Sequence, residues 1–550
     1  MTTRPGLATA LAMLLACIEH VSCAEVSAID LKTTPIPAPQ ELEAQGAVIG
    51  KIFIDAQNIF DLSDPKENKS LYRIANTLHI ATREHVVRDQ LLFRSGDPYI
   101  QRNLEESERI LRSARYLYDA SIKPVAFHDG QVDVSVTTRD VWTLNPGISF
   151  GRHGGKNTFG FELEELNIFG TGTSVAASHK SGIDRDSDTL AFKDQHLGDS
   201  WVSLAVSYSN NSDGSTKGLS VERPFYSLDT PWSAGVNALD DERIESLYDR
   251  GEIIDQFQER SRNATVFGGW SSGLVNGWTR RWTAGASYDE ARFDVAPDWS
   301  GTSLIPQDRK FVYPWLGVEL IQNDFEKTRN RDQIGRTEDF YLGTRLSAQL
   351  GWADTSFGSD RDAAIFDAAA GYGWRATDTS TLLFSTSASG RLEQGALANT
   401  LLNGAIRYYL RQSERRLFFV TAEGTMGHNL DVDNQILLGG DNGLRGYPLR
   451  YQAGDARALL TVEQRYFTDW YPFRLFRVGA AAFFDVGRTW GQVEPAGPSS
   501  GLLRDIGFGL RIGNTRSGLG NMIHVDLAFP LDGDSSISNV QLLVETKQRF

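Results

Sequence analysis

From Asn145 to Phe550 the chain repeats one pattern, in which apolar and polar residues alternate over segments of about ten residues. Gly, Asp, Asn and Pro separate these segments. Alternation with period two places the apolar side chains of a strand on one face, and a strand of about 9–11 residues is long enough to cross a bilayer. The pattern therefore predicts that residues 145–550 form a transmembrane antiparallel β-barrel with a polar lumen.

The composition of the chain leaves two fold classes possible. The mean hydropathy is −0.31, and no later stretch of the sequence has 18 uninterrupted apolar residues, so a helical membrane protein is excluded. A large soluble β protein and a closed barrel, in which only every second residue must be apolar, both remain. The net charge of −15 argues against a nucleic-acid partner.

The N-terminus has the features of an export signal. Arg4 supplies the basic end, residues 7–17 form an apolar run too short to span a bilayer, and small residues at 22–24 precede a cleavage point. We predict a signal peptide over 1–24 and a linker over 25–45. The alternative is a lipoprotein signal in which Cys17 is lipidated.

Residues 46–144 combine segments with helical spacing and segments with strand alternation, unlike the rest of the chain. This pattern predicts a small α+β domain. Pro98, with Asp97 before it, suits the first turn of a helix. The predicted elements are a strand over 47–54, helices over 83–93 and 98–116, and strands over 120–127 and 132–137.

The segment 437–447 combines turn-forming residues with one bulky cation. Six of its eleven residues are Gly, Asp or Asn, which predicts a loop. Arg445 and Tyr447 flank Gly446 within it. Such a loop can fold back into an enclosed space, where the guanidinium would meet a carboxylate.

Asp485 is the candidate for that carboxylate, because the alternation over 476–487 places it opposite the apolar stripe of its strand. We expect Arg445 to pair with Asp485 inside the barrel, with Glu463 sharing the cation. The alternative is an exposed Arg445 and an Asp485 that lines water independently. The same phase directs further polar side chains into the lumen: Thr461, Glu463, Arg465, Arg477, Asp505 and Arg511.

The Arg-Gly-Tyr loop, followed by the strand containing Phe483-Phe484-Asp485-Val486-Gly487, resembles the BamA/TamA superfamily of outer-membrane assembly and translocation barrels. This family is also called the bacterial surface antigen family. The resemblance implies a loop that enters the lumen, an Arg that meets the Asp, and about 16 strands, although the candidate strands number sixteen to twenty. Its localisation would be the bacterial outer membrane.

Residues 46–144 resemble a single POTRA domain, including the turn over 95–99. The resemblance implies a periplasmic domain that receives an unfolded or extended polypeptide client by strand addition. We expect the client edge at Val132, Val134 and Val136. The alternative is that the domain only plugs or caps the barrel.

The C-terminal residue, Phe550, resembles the insertion signal by which the barrel assembly machinery recognises bacterial barrels. Thr546 and Lys547 depart from the apolar residue and Gly that are more usual in such signals.

The sequence thus predicts an outer-membrane barrel that inserts or translocates polypeptides, in contact with outer-membrane lipid. The alternative is a passive pore or a lipid or surface-structure export barrel of the same architecture. We expect no enzymatic activity, because the Gly-x-Ser-x-Gly motifs at 147–151 and 269–273 are not followed by a helix. We also expect no cofactor and no metal, since both cysteines lie in the predicted signal and the nine histidines show no paired ligand spacing.

Overall fold

A computed structural model describes residues 36–301, 304–491, 501–518, 522–533, 535 and 537–547. The predicted signal peptide, Cys17 and the proposed insertion signal at Phe550 lie outside these residues. Among the described residues, none of the helices is long and apolar enough to cross a membrane.

The N-terminal domain (residues 36–143) is a three-stranded sheet covered by helices. β3 lies in the centre of this sheet, parallel to β1 and antiparallel to β2. Alternate valines of β3 are fully buried against Leu104 and Leu111 of the long helix α4. The elements are α1 (Pro39–Ala44), β1 (Val48–Gln57), α2 (Ser70–Leu78), α3 (Glu84–Arg88), α4 (Gln101–Ser113), β2 (Leu117–His128) and β3 (Gln131–Asp140).

Both helix predictions for this domain need correction. The helix predicted over 83–93 is the short α3, which begins at Glu84 and ends at Arg88. The helix predicted from Pro98 begins at Gln101, because Pro98 belongs to an extended segment that forms a bridge with Val48. Helix α2 was not predicted. Its apolar residues Leu71, Ile74 and Leu78 do have helical spacing, but the helix is only nine residues long, so the pattern covers barely two turns.

The remaining chain forms a closed barrel of 20 antiparallel strands, so the 16 strands implied by the family resemblance are wrong. The count of 20 is the upper end of the sixteen to twenty candidate strands in the sequence, and the segment over 184–218 contributes to the barrel wall. The barrel strands are β4 (Leu144–His153), β5 (Lys156–Glu165), β6 (Ser174–Ser181), β7 (Asp186–Asp194), β8 (Ser203–Asn211), β9 (Gly214–Arg223), β10 (Trp232–Asp249), β11 (Glu252–Val275), β12 (Trp278–Val295), β13 (Arg309–Gln322), β16 (Arg345–Ala353), β17 (Ala363–Thr377), β18 (Ser380–Glu393), β19 (Ala396–Ser413), β20 (Arg416–His428), β23 (Ala456–Phe467), β24 (Phe476–Trp490), β25 (Leu503–Asn514), β26 (Met522–Pro530) and β27 (Gln541–Lys547).

Two short hairpins lie between barrel strands without joining the wall. The first, between β13 and β16, consists of β14 (Phe325–Arg329) and β15 (Thr337–Tyr341). The second, between β20 and β23, consists of β21 (Ile436–Leu438) and β22 (Gln452–Gly454).

The barrel closes where its last strand meets its first. Among residues 541–547, the described part of the last strand, Val544 is registered with β4, opposite Arg152. β26 is paired with β27 along the whole length of β27.

The two faces of the wall differ in polarity. On β25, Ile506 and Phe508 point outward and are about half exposed, whereas the inward-facing Asp505 and Arg511 are fully buried. The outer surface of the barrel is therefore apolar and the lumen is charged. This distribution is typical of a barrel in lipid.

The N-terminal domain packs on one end of the barrel, which we call the domain end. Arg516, in the turn after β25, donates from Nη1 to the carbonyl oxygen of Ile59 at 2.6 Å. β4 runs away from the domain and neighbouring strands are antiparallel, so the twentieth strand, β27, returns to the domain end. The segment between β20 and β23 therefore lies at the opposite, far end.

Candidate functional site in the barrel lumen

The segment between β20 and β23, which we call the lumen loop (residues 429–455), folds from the far end into the barrel. β21 and β22 pair at its base, and the glycine-rich stretch lies beyond them. A Cβ on Gly446 would lie 2.6 Å from Cβ of Asp505, so only glycine fits where the loop touches the wall. The close approach brings the neighbouring Arg445 to the inner face of the wall.

Arg445 is buried and held by two acids of neighbouring strands. Its Nε and Nη2 donate to the two carboxylate oxygens of Asp485 at 2.7 and 2.9 Å. Its Nη1 donates to Oε1 of Glu463 at 2.9 Å. The guanidinium also lies 3.4 Å from the ring centroid of Phe483. Bidentate pairing and stacking fix the planar guanidinium in one orientation.

The residues on either side of these acids complete the network. Asp485 also accepts a hydrogen bond from Oγ1 of Thr461 at 2.7 Å, and Glu463 accepts one from Nε of Arg465 at 2.9 Å. The backbone N–H of Gly446 donates to Asp505 at 3.0 Å. Each buried carboxylate thus has at least one donor, as burial of a charge requires.

Tyr447 anchors the loop to the far-end rim. Its ring is fully buried, and its hydroxyl donates to the carbonyl oxygen of Arg504 at 2.7 Å. The backbone N–H of Arg504 in turn donates to the hydroxyl at 3.1 Å. The loop is therefore held at Arg445 by β23 and β24, and at Tyr447 by β25.

The other predicted lumen residues divide into two groups. Arg511 is fully buried and pairs with Asp526 on the neighbouring strand. Arg477 lies apart from this cluster, at the domain end, with its guanidinium 4.0 Å from the ring centroid of Tyr471. The structure therefore brings Glu463, Arg465, Asp505 and Arg511 near the loop but not Arg477.

The predicted client edge is wrong. Val132, Val134 and Val136 lie on β3, which is paired on both sides, and their side chains are fully buried. The alternation of apolar and polar residues does correspond to a strand, but this strand lies in the centre of the sheet and not at its edge. The free edges belong to β1 and β2.

A second segment enters the lumen from the domain end, and the sequence did not reveal it. The turn of the β14–β15 hairpin inserts Ile334 into an apolar cluster with Tyr409 and Phe419 of the barrel wall. Arg465 donates from Nη1 to the carbonyl oxygen of Arg331 in this turn at 3.0 Å. Arg465 thus joins the hairpin to Glu463 and, through it, to Arg445.

The same hairpin is fastened to the N-terminal domain. Arg112 of α4 donates from Nε and Nη2 to the carboxylate of Asp339 at 2.7 and 2.6 Å. Oγ1 of Thr337 donates to Asp119 at 3.0 Å. A continuous set of polar contacts therefore runs from the N-terminal domain through the hairpin to the lumen loop.

One group of side chains has the composition of a metal site. Potential ligand atoms of His524, Asp526 and Glu545 lie within 4.8 Å of one another. Asp526, however, already pairs with Arg511 and lies 3.7 Å from Nη1 of Arg445. Because arginines supply the compensating charge, we assign no metal here.

The chain matches no protein-family model and no curated protein. Its structural neighbours are BamA and CdiB barrels. BamA from Haemophilus ducreyi lacking POTRA domains 1–3 is 12% identical, with 91% of this chain and 84% of that chain covered and a TM-score of 0.40. CdiB from Acinetobacter baumannii is 14% identical, with 91% and 73% covered and a TM-score of 0.43. CdiB from Escherichia coli is 12% identical, with 92% and 77% covered and a TM-score of 0.46.

The FrpB iron transporter from Neisseria meningitidis is also similar, at 8% identity and a TM-score of 0.40, with 78% of this chain and 87% of that chain covered. Proteins described as an iron transporter and as BamA thus share the same level of similarity with this chain. The similarities therefore describe a barrel fold alone. Arguments about function must come from the lumen contacts.

Proposed function

We propose that this protein is an outer-membrane barrel that inserts or translocates polypeptides, with its N-terminal domain in the periplasm. The observation that carries the proposal is the Arg445 contact with Asp485 and Glu463, which holds a loop inside a barrel of 20 strands. Barrels of 16–18 strands enclose a water-filled channel when their lumen is free. Here the lumen loop and the β14–β15 hairpin occupy the lumen from opposite ends and are held by non-covalent contacts. A gated path needs such removable obstructions, whereas a permanently open pore does not need them.

The N-terminal domain would receive the client along β1. Its pairing on one side is with β3, and on the other side the described residues bridge it only near its start, at Val48. The other edge strand, β2, contains Pro124, which has no N–H to offer an added strand. An extended polypeptide could therefore continue the sheet along β1 from Ile52 to Gln57, in place of the edge predicted on β3.

Two routes out of the domain follow from the structure. Opening of the seam between β27 and β4 would release a client sideways into lipid, whereas withdrawal of the lumen loop would clear a path to the far side. Either route would run on the free energy of client folding, without a nucleotide.

The partners and chemistry follow from this placement. Outer-membrane lipid would cover the apolar outer face, and the barrel assembly machinery would insert the protein itself. We propose that the protein has no catalytic centre and no cofactor. The serines of its two Gly-x-Ser-x-Gly motifs, Ser149 and Ser271, lie within barrel strands rather than at a strand-to-helix turn.

A photo-crosslinking amino acid at Phe53 tests the function in cells. Phe53 lies on the free part of β1 and is 38% exposed. We expect it to capture exported polypeptides in extended form. Glu105, on the exposed face of α4, provides the control position and should capture few or none. Absence of polypeptides at position 53, or equal capture at both positions, would favour the passive pore.

A further inference from the structure

Helix α2 carries an apolar stripe that no described part of the protein covers. Leu71, Ile74 and Leu78 share one helical face and are 68%, 55% and 67% exposed. Ile80, just after the helix, is 53% exposed. Single exposed apolar residues are ordinary, but a contiguous stripe of four in a small domain marks an interaction surface.

The adjacent face of α2 fastens the helix to the domain end of the barrel. Tyr72 is buried, stacks on Phe60 at 4.4 Å between ring centroids, and donates from its hydroxyl to the carbonyl oxygen of Phe473 at 2.9 Å. Phe473 belongs to the turn between β23 and β24, and its own side chain is 75% exposed. Trp470, in the same turn, is 63% exposed.

These contacts hold α2 beside a barrel turn that carries two exposed aromatic side chains. Exposed aromatic side chains at the end of a barrel wall are typical of the boundary between lipid and water. The stripe on α2 begins one residue from the side chain that touches this turn. A surface that already faces lipid therefore extends from the wall onto the N-terminal domain.

The charges of α2 suit the same partner. The helix contains no acidic residue, and its only charged side chain, Arg73, is exposed. Lys69 precedes the first turn and is also exposed. An apolar face flanked by cations is the composition of a helix that lies in the interface of a membrane with anionic headgroups.

We propose that α2 lies in the headgroup region of the periplasmic leaflet beside the barrel, with Leu71, Ile74, Leu78 and Ile80 in contact with lipid. This inference depends on the proposed placement of the barrel in the outer membrane. The helix then fixes the N-terminal domain against the bilayer at a second point, in addition to its contacts with the barrel turns.

Site-directed spin labelling of the full processed chain in phospholipid vesicles containing phosphatidylglycerol tests the proposal. Both cysteines of the sequence lie in the predicted signal peptide, so Ile74→Cys would provide the single thiol of the processed protein. The label at 74 should be more accessible to oxygen than to a water-soluble nickel complex. Arg73→Cys, exposed about 100° or more around the helix from the three apolar residues, should show the reverse.

A third label separates failure of this inference from failure of the membrane placement. Leu316, on β13, is 70% exposed on the outer face of the barrel wall, so a label at Leu316→Cys should be oxygen-accessible. Lipid exposure at 316 with water exposure at both 74 and 73 would overturn the proposal for α2 alone. Water exposure at 316 would overturn the barrel placement and the inference with it.

Discussion

At the scale of single residues, the stability of the lumen site depends on how acidic side chains compensate the buried charge of Arg445. Arg445 sits among Asp485 and Glu463 at hydrogen-bonding distance, with Asp526 3.7 Å away. Removing one partner from a buried ion pair costs about 3–5 kcal/mol, because the other charge stays buried without compensation. The ion pairs of Arg445 therefore hold the lumen loop in place, and breaking them is costly in free energy.

Tyr447→Phe should loosen the lumen loop without disturbing the ion pairs. The substitution leaves the part-buried backbone groups of Arg504 with no hydroxyl partner, at a cost of about 1–2 kcal/mol. Amide hydrogen exchange in the loop should become roughly tenfold to a hundredfold faster. Tyr466→Phe, on the lipid-facing side of β23, is the matched control and should not alter exchange. Equal exchange in both variants would show that the hydroxyl does not hold the loop.

His79 and Asp140 predict a hidden pH dependence in the N-terminal domain. Their side chains lie 3.5 Å apart. Burial lowers the pKa of His79 from 6.5 to about 4 and raises the pKa of Asp140 from 3.8 to about 6. As pH falls from 6.5 to 4, the unfolded chain gains the histidine proton first, which removes stability. As pH falls below 6, the folded chain gains the aspartate proton first, which adds stability. The two effects offset each other between about pH 6 and 4.

Asp140→Asn should expose the histidine effect, so that the domain loses up to about 3 kcal/mol between pH 6.5 and 4. His79→Gln should instead make the domain more stable toward acid, relative to its stability at neutral pH. Limited proteolysis of the domain in the reconstituted protein measures both. A wild-type protein and an Asp140→Asn variant with the same pH profile would contradict the assignment.

At the scale of elements, the sequence predicted strands where alternation is long. The alternation over 476–487 lies in β24 (Phe476–Trp490). The alternation is weaker in β7, where only Leu190 and Phe192 of the nine residues are large, apolar and outward-facing, and the sequence therefore left the strand count open. The ion pair of Arg445 could be predicted because two motifs mark its partners. The β14–β15 hairpin could not, because its contacts lie far away in sequence and no local pattern marks them.

Ile334→Asp should unseat the β14–β15 hairpin from the lumen. The new carboxylate would be buried among apolar residues without a donor, which is strongly unfavourable. We expect faster hydrogen exchange in the hairpin turn and a higher conductance in planar bilayers. Arg329→Asp places the same charge on an exposed position of the same hairpin and should leave both unchanged. A conductance unaffected by Ile334→Asp would mean that the hairpin does not obstruct the lumen.

At the scale of the whole molecule, the seam and the lumen loop are alternative moving parts. A disulfide between Arg152→Cys and Val544→Cys would lock the only registered pair that joins β27 to β4 among the described residues. If clients leave through the seam, the lock should make crosslinked clients accumulate at position 53, and reductant should release them. A disulfide between Val525→Cys and Val544→Cys joins strands that are already fully paired and serves as control. Normal client passage with the seam locked would point to the lumen route.

The central claim is that Arg445 keeps the barrel closed by holding the lumen loop against Asp485 and Glu463. Single-channel recording of the purified protein in planar bilayers tests it most directly. The wild-type protein should show small or rare current steps, and Arg445→Ala should show larger and more frequent ones. Arg504→Ala, which breaks an exposed pair with Asp532, should behave like the wild type. Identical currents from the wild type and Arg445→Ala would contradict the claim.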